Sequence, residues 1–193
     1  MKKIFRLLPV LLLLQTVSFA QQTDKAELPA ITSANASEFF IPASVCSTFK
    51  LTAGKGNELM KVYNNFADSA KLQRVVDIRW QAASKEEAVK WYQNNLTLLS
   101  ESGKDITSQL TKPAAVATWN VYEASDAMKK MMEGLGVKQN QYIYIFVVDK
   151  YVAKIFVATS ETILVKETWS LVKEGLIALL KASGNPKLAE LVL

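Results

Sequence analysis

The strongest hydrophobic pattern along the chain lies in two adjacent segments, Gln141 to Val148 and Tyr151 to Thr159. Both are rich in β-branched and aromatic residues, and Asp149-Lys150 separates them, which predicts a β-hairpin. The first segment is apolar at both alternating sets of positions: Ile143, Ile145 and Val147 on one side, and Tyr144, Phe146 and Val148 on the other. Because a strand that is apolar on both faces needs cover on both, this pattern predicts a sheet packed between helices.

Three earlier segments also have strand character, at Glu58–Phe66, Gln73–Gln81 and Ala115–Tyr122. The second alternates most regularly, with Val76, Ile78 and Trp80 on one face and Asp77, Arg79 and Gln81 on the other. The alternation predicts that the face with the tryptophan lies toward the core. Asp77 and Arg79 are then either a surface pair or part of a polar pocket.

Helical spacing of apolar residues recurs between these strands. A capping box at Ser84–Glu87 begins one helix, and Gly103 is expected to end it in the left-handed conformation. Helices are predicted over Pro42–Phe49, Ser84–Ser102, Asp126–Leu135 and Glu161–Ala182, the last ended by Gly184 and Pro186, with a loop over Thr52–Asn57.

The order of elements predicts an α+β fold, with a mostly antiparallel sheet of about five strands and helices covering both faces. We expect a signal peptide over 1–20, a flexible leader over 21–36, a single α+β domain over 37–184 and a C-terminal tail over 185–193.

The first twenty residues have a basic start, an apolar run from Leu7 to Leu14, and Ser18-Phe19-Ala20 as a cleavage signal. These are the parts of a secretory signal peptide. The run is too short for a typical membrane span, which needs about 20 apolar residues. We therefore expect a soluble mature protein that begins near Gln21, periplasmic or secreted, with no membrane span after signal removal.

Charge and composition exclude several functions. Of 23 basic residues, Lys2, Lys3 and Arg6 lie in the predicted signal peptide, so the mature chain keeps 20 against 18 acidic residues. This near balance gives no electrostatic reason to expect nucleic-acid binding. The chain has no His and one Cys, which excludes His-based catalytic dyads and multi-Cys metal sites. We expect no cofactor and no metal.

One enzymatic motif is present, the S-x-x-K spacing of Ser47 and Lys50. In serine β-lactamases and penicillin-binding proteins this spacing places a nucleophilic Ser one helical turn from an activating Lys. The further motifs of those enzymes are missing here, and Ser170 and Lys173 repeat the same spacing on another predicted helix. A surface helix with no catalytic role is the favoured interpretation.

Sulfur-containing side chains have two interpretations each. Met128, Met131 and Met132 could form a thioether site for Cu(I) or an adaptable apolar binding surface, but their spacing is more typical of a helix packed on a core. Cys46 is either a buried, unreactive thiol or half of an intermolecular disulfide.

The aromatic residues are numerous, and Trp80, Trp91, Trp119 and Trp169 all fall on predicted core faces. Three tyrosines are less constrained by the pattern and are the candidates for a ligand-facing set: Tyr63, Tyr122 and Tyr142.

These observations favour an exported, soluble, non-catalytic binding or interaction domain of the bacterial cell envelope. Its partner would be a protein, a glycan or an apolar small molecule. A small hydrolase that uses Ser47 and Lys50 is one alternative, and a periplasmic inhibitor or immunity-type protein is another.

Overall fold

A computed structural model describes residues 30–32, 34–42, 44, 49–53, 58–63, 72–116, 118–135 and 139–192. Its strands are β1 Phe49–Ala53, β2 Glu58–Tyr63, β3 Leu72–Gln81, β4 Gly103–Asp105, β5 Thr118–Ala124, β6 Asn140–Val148 and β7 Tyr151–Thr159. Its helices are α1 Ala36–Phe39, α2 Lys85–Ser102, α3 Asp126–Gly134, α4 Val165–Ala182 and α5 Pro186–Glu190, with a 3-10 turn over Thr107–Gln109.

The strands form one sheet in the order β1-β2-β3-β7-β6-β5-β4, and every neighbouring pair is antiparallel. Helices α1, α4 and α5 contribute to the hydrophobic core on one face, and α2 packs on the other. The predicted α+β fold with helices on both faces is confirmed. The described part of the sheet has seven strands rather than about five, because β1 and the three-residue β4 extend its two edges.

The β6–β7 hairpin forms as the sequence predicts, with Val148 paired to Tyr151. Asp149 has φ 52°, a left-handed conformation that Asp tolerates better than most residues, so two residues suffice for the turn. Helix α2 begins after Ser84, whose hydroxyl accepts from the Glu87 amide at 3.2 Å. This confirms the predicted helix start.

Gly103 does not adopt the predicted left-handed conformation. Its φ is −132°, and it begins β4 directly after α2. A Cβ there would lie 3.1 Å from the carbonyl oxygens of Glu123 and Leu99, so close backbone approach accounts for the glycine. Gly184, at φ 79°, does end α4 as predicted.

The regions around the domain ends also differ from the expected pattern. Phe49 begins strand β1 rather than ending a helix, and the expected loop at Thr52 and Ala53 belongs to the same strand. Pairing with β2 therefore outweighs the weak helical spacing of the local sequence. Within the expected leader, Ile31 donates its amide to Gln81 Oε1 at 2.9 Å. Within the expected C-terminal tail, helix α5 packs on α4, and Ala189 is buried.

Candidate functional site

The three candidate tyrosines are all buried. Tyr63 donates its hydroxyl to the Ile41 carbonyl at 2.7 Å, and Tyr142 donates to the Ile163 carbonyl at 2.9 Å. Tyr122 lies on the opposite face, in the cluster beneath α2. Burial raises the pKa of Tyr142 to about 12 and also raises the pKa of Tyr122, so both stay neutral at ordinary pH. The prediction of a ligand-facing set is wrong for all three, because each ring belongs to the packed interior.

Asp77 and Arg79 form a buried ion pair, and neither side chain is exposed to solvent. Arg79 Nε lies 2.6 Å from Asp77 Oδ1, and Arg79 Nη2 lies 2.9 Å from Asp77 Oδ2. Asp77 Oδ2 also accepts from the Ile41 amide at 3.1 Å, and Arg79 Nη2 donates to the Gly175 carbonyl at 3.2 Å. The sequence left a surface pair and a polar pocket open, and the structure excludes the surface pair.

The pair is enclosed by α4 and by aromatic rings. A Cβ on Gly175 would lie 2.8 Å from both Arg79 Nη2 and Ile41 Cγ1, so α4 can pass over the guanidinium only at a glycine. The guanidinium carbon also lies 5.7 Å from the ring centres of Phe40 and Phe146. The pair is fully buried, and its hydrogen bonds join β3 to α4 and to Ile41, two residues after the end of α1.

Lys61 is a second buried cation, directly across from Asp77 on β2 and 3% exposed. Its ammonium lies 5.1 Å from the Phe40 ring centre. Desolvation lowers its pKa, Asp77 opposes that effect, and Arg79 adds to it. The polar face of β3 is therefore the fully buried one, and the expectation that the tryptophan side of this strand is the more buried side is wrong.

The remaining sequence candidates are described only in part. Ser47 and Cys46 lie outside the described residues, so the Ser47–Lys50 hypothesis and both interpretations of Cys46 stay predictions, and Lys50 lies in strand β1. Ser170 donates to the Glu167 carbonyl at 2.9 Å within α4. Met128 is half-buried and Met131 is 54% exposed, and the side chain of Met132 lies outside the described part. The described residues contain no cluster of three Asp, Glu, His or Cys side chains suited to a metal ion.

The α2 side of the sheet presents a different surface, which the sequence analysis missed. Strand register places a set of apolar side chains in two rows across β2, β3, β7 and β6, and each of them is half-buried. We call this set the open sheet face: Met60, Val62, Val76, Ile78, Ile143 and Phe156. One full row runs Val62, Val76, Phe156, Ile143, and ends at the buried Tyr122 on β5.

The path of α2 explains why this surface is open. The helix packs mainly on β4, β5, β6 and β7, where Ile145, Val147 and Val152 are buried beneath it. It meets β3 through Trp91, which stacks on Trp80 with ring centres 5.4 Å apart. The rest of β3 and the neighbouring part of β2 lie beyond this contact.

Polar residues lie where the rows pass beneath the middle of α2, at Tyr92. The Tyr92 hydroxyl donates to Asn120 Oδ1, and Asn120 Nδ2 donates to Asp105 Oδ2 at 3.0 Å and to Thr107 Oγ1 at 3.1 Å. Burial raises the pKa of Tyr92 to about 12, so its hydroxyl remains a donor. This network ties α2 to β5 and β4, on the same face of the sheet as the open sheet face but near the opposite edge.

A recess of about 500 Å³ lies between α1 and α4, on the other side of the sheet from the open sheet face. Its walls carry both charged and apolar side chains: Ser37, Glu38, Phe40, Pro42, Glu174, Ile177, Ala178, Lys181 and Ala182. Its charged, polar and apolar side chains are mixed, so the lining does not favour one class of ligand.

A sequence signal for the open sheet face did exist. Val76 and Ile78 on β3, and Ile143 and Phe156 in the hairpin, are apolar on the side opposite the buried core. The pattern predicts helical cover on both faces, but it does not show which strands the helix covers; within the described residues α2 packs mainly on β4, β5, β6 and β7.

None of the helices in the described ranges is long and apolar enough to cross a membrane. Comparisons of the chain with protein-family models, with curated proteins and with solved structures gave no match.

Proposed function

We propose that the mature chain is an exported, non-catalytic binding domain of the bacterial cell envelope, and that the open sheet face is its binding surface. One observation carries the proposal: six apolar side chains stand in register on four strands, and each is only half-buried beside α2. An antiparallel sheet that faces water normally carries polar side chains there. An accessible apolar surface is typical of a site that binds another molecule.

The fate of the reactive residues supports a non-catalytic role. The ionisable pair with the closest contact, Asp77 and Arg79, is enclosed, and the hydroxyls of Tyr63 and Tyr142 are donated to carbonyl groups of the main chain. Export is supported by the three-part pattern of residues 1–20. The Ser47–Lys50 hydrolase and the inhibitor or immunity-type protein stay predictions.

Binding of anilinonaphthalene sulfonate to the folded protein tests the proposal. This dye fluoresces on contact with accessible apolar surface. We expect the native protein to bind it, and we expect Ile78→Gln to lose most of that fluorescence because Ile78 lies inside the open sheet face.

Leu98→Gln is the matched control, because Leu98 is 62% exposed on α2 and lies outside the open sheet face. It should leave the dye signal unchanged. Cooperative thermal unfolding of each variant establishes that the dye reports the native state. Equal loss of signal in both variants, or no dye binding by the native protein, would contradict the proposal.

A further inference from the structure

Lys154 is a charged residue set among the apolar rows of the α2 side. Strand register places it directly between Ile78 on β3 and Ile145 on β6, and Phe156 follows it two residues later on the same side of β7. Lys154 and Phe156 are both half-buried. The aliphatic stem of the lysine therefore continues the apolar surface, while its ammonium marks one border of it.

The ammonium is held at that border by α2. Lys154 Nζ donates to Asn95 Oδ1 at 2.9 Å, and Nζ lies 5.2 Å from the Phe156 ring centre. Asn95 Nδ2 donates in turn to the Trp91 carbonyl at 3.0 Å, which fixes the amide with its oxygen toward the lysine. The positive charge is thus positioned between the helix and the open sheet face.

This combination selects among the ligand classes that an exported binding domain could take. A glycan presents many hydroxyl groups and needs several polar partners along its length, whereas the polar side chains Arg74, Gln141 and Lys154 lie around the six apolar ones rather than among them in both rows. A purely apolar molecule would not use the ammonium. A molecule with one anionic end and one hydrocarbon end matches both features.

Resting on the proposed function, we propose that the open sheet face binds a free fatty acid. The carboxylate contacts the Lys154 ammonium, and the acyl chain lies across the strands over Ile78, Val76 and Val62. This path from β7 across β3 to β2 covers two strand spacings, about 10 Å, and the step from Ile78 to Val76 along β3 adds about 7 Å, which suits a chain of medium length.

The test uses the full chain, exported in a bacterial host and purified as the mature protein after removal of bound lipid. Titration calorimetry compares dodecanoate with dodecanol, which shares its chain and lacks the charge. We expect dodecanoate to bind more tightly than dodecanol. Lys154→Met should lower the affinity for dodecanoate about fivefold, the effect expected for a partly exposed charge pair, and should leave dodecanol binding unchanged. Lys154→Arg, which keeps the charge, should retain the preference for dodecanoate.

Chain length tests the placement of the hydrocarbon. From octanoate to dodecanoate, each added methylene should tighten binding about two- to fourfold, as expected for a partly to fully buried methylene. Ile78→Gln should weaken dodecanoate and dodecanol alike. Thermal unfolding of each variant shows whether the fold is retained.

The outcomes separate the two proposals. Equal binding of dodecanoate and dodecanol, unaffected by Lys154→Met, would overturn the fatty-acid assignment and leave the open sheet face as a binding surface. Binding to phosphatidylglycerol vesicles without binding of free dodecanoate would also overturn it, in favour of a membrane surface. Failure of every amphiphile and of the dye would overturn the proposed function as well.

Discussion

The two faces of the sheet differ in what covers them and in what they bury. On the α4 side β7 is buried along its whole length and β3 is buried at Val75, Asp77 and Arg79, and this core also encloses Lys61. On the α2 side the side chains are mostly apolar, yet the rows across β2 and β3 stay accessible. Burial therefore follows the placement of the helices rather than the polarity of the strand residues. On the polar face Asp77 and Arg79 are buried as an ion pair beneath α4, and on the apolar face α2 covers only part of the described strands.

Breaking the buried ion pair between Asp77 and Arg79 should lower the free energy of unfolding more than any other change considered. Asp77→Asn leaves the Arg79 guanidinium buried without its carboxylate, so we expect the free energy of unfolding to fall by about 3–5 kcal/mol. Urea denaturation measures the change. The double variant Asp77→Leu with Arg79→Met should recover most of the loss, because it removes both charges and fills a similar volume. A loss below about 1 kcal/mol in the single variant would mean that the pair is not buried as described.

Adding a methyl group at Gly175, where α4 passes over Arg79, should cause the next largest loss of stability. In Gly175→Ala the new methyl group would lie 2.8 Å from Arg79 Nη2 and Ile41 Cγ1, so we expect a loss of about 1–3 kcal/mol.

Gly134→Ala, at the end of α3, is the control for Gly175→Ala. A Cβ there has open space around it, and alanine favours helix by up to about 1 kcal/mol, so this variant should be neutral or slightly more stable. If both alanine variants behaved alike, the close approach of α4 to Arg79 would be excluded.

Alkaline pH should lower the free energy of unfolding, because buried tyrosines such as Tyr142 on the α4 side must lose a proton. Burial raises the pKa of Tyr142 from 10.0 to about 12. Its stabilising contribution is complete below pH 10 and is lost as the pH rises toward 12, because the unfolded chain releases the proton first. We expect Tyr142 to account for about 1–2 kcal/mol of the loss over this window.

Urea denaturation at successive pH values measures the alkaline loss, and Tyr142→Phe should make the dependence on pH less steep. Tyr92 and Tyr151, whose pKa values are also raised to about 12, should keep the remaining slope. An unchanged slope in Tyr142→Phe would show that the hydroxyl is accessible to water.

Local patterns in the sequence were sufficient for the elements that local interactions stabilise. The hairpin follows from two apolar segments around Asp149-Lys150, and the start of α2 follows from Ser84 and Glu87. Strand β1 could not be predicted in this way, because its pairing with β2 is a tertiary contact, and its own residues suggested the end of a helix at Phe49 and a loop from Thr52.

The candidate site could be predicted only in part, for two physical reasons. A charged residue in an alternating strand normally faces water, so the burial of Asp77 and Arg79 depends on partners from Ile41 and Gly175 that are distant in the sequence. The apolar character of Val76 and Ile78 was visible, but their exposure depends on the path of α2 across the sheet. The position of a helix over a sheet is not encoded in the periodicity of the strands.

The smallest effect on stability comes from the open sheet face, and it provides the most direct test of the account. Val75 and Val76 are neighbours in β3, but Val75 is buried on the α4 side and Val76 is half-buried in the open sheet face. The measurement is the change to Thr at each position, with urea denaturation and dye fluorescence read on both variants. Val75→Thr should lose about 1–3 kcal/mol by burying a hydroxyl without a partner and should keep dye binding, whereas Val76→Thr should lose less than about 0.5 kcal/mol and should bind less dye. Equal losses of stability, or a dye signal that falls only with Val75→Thr, would contradict the assignment of the two faces.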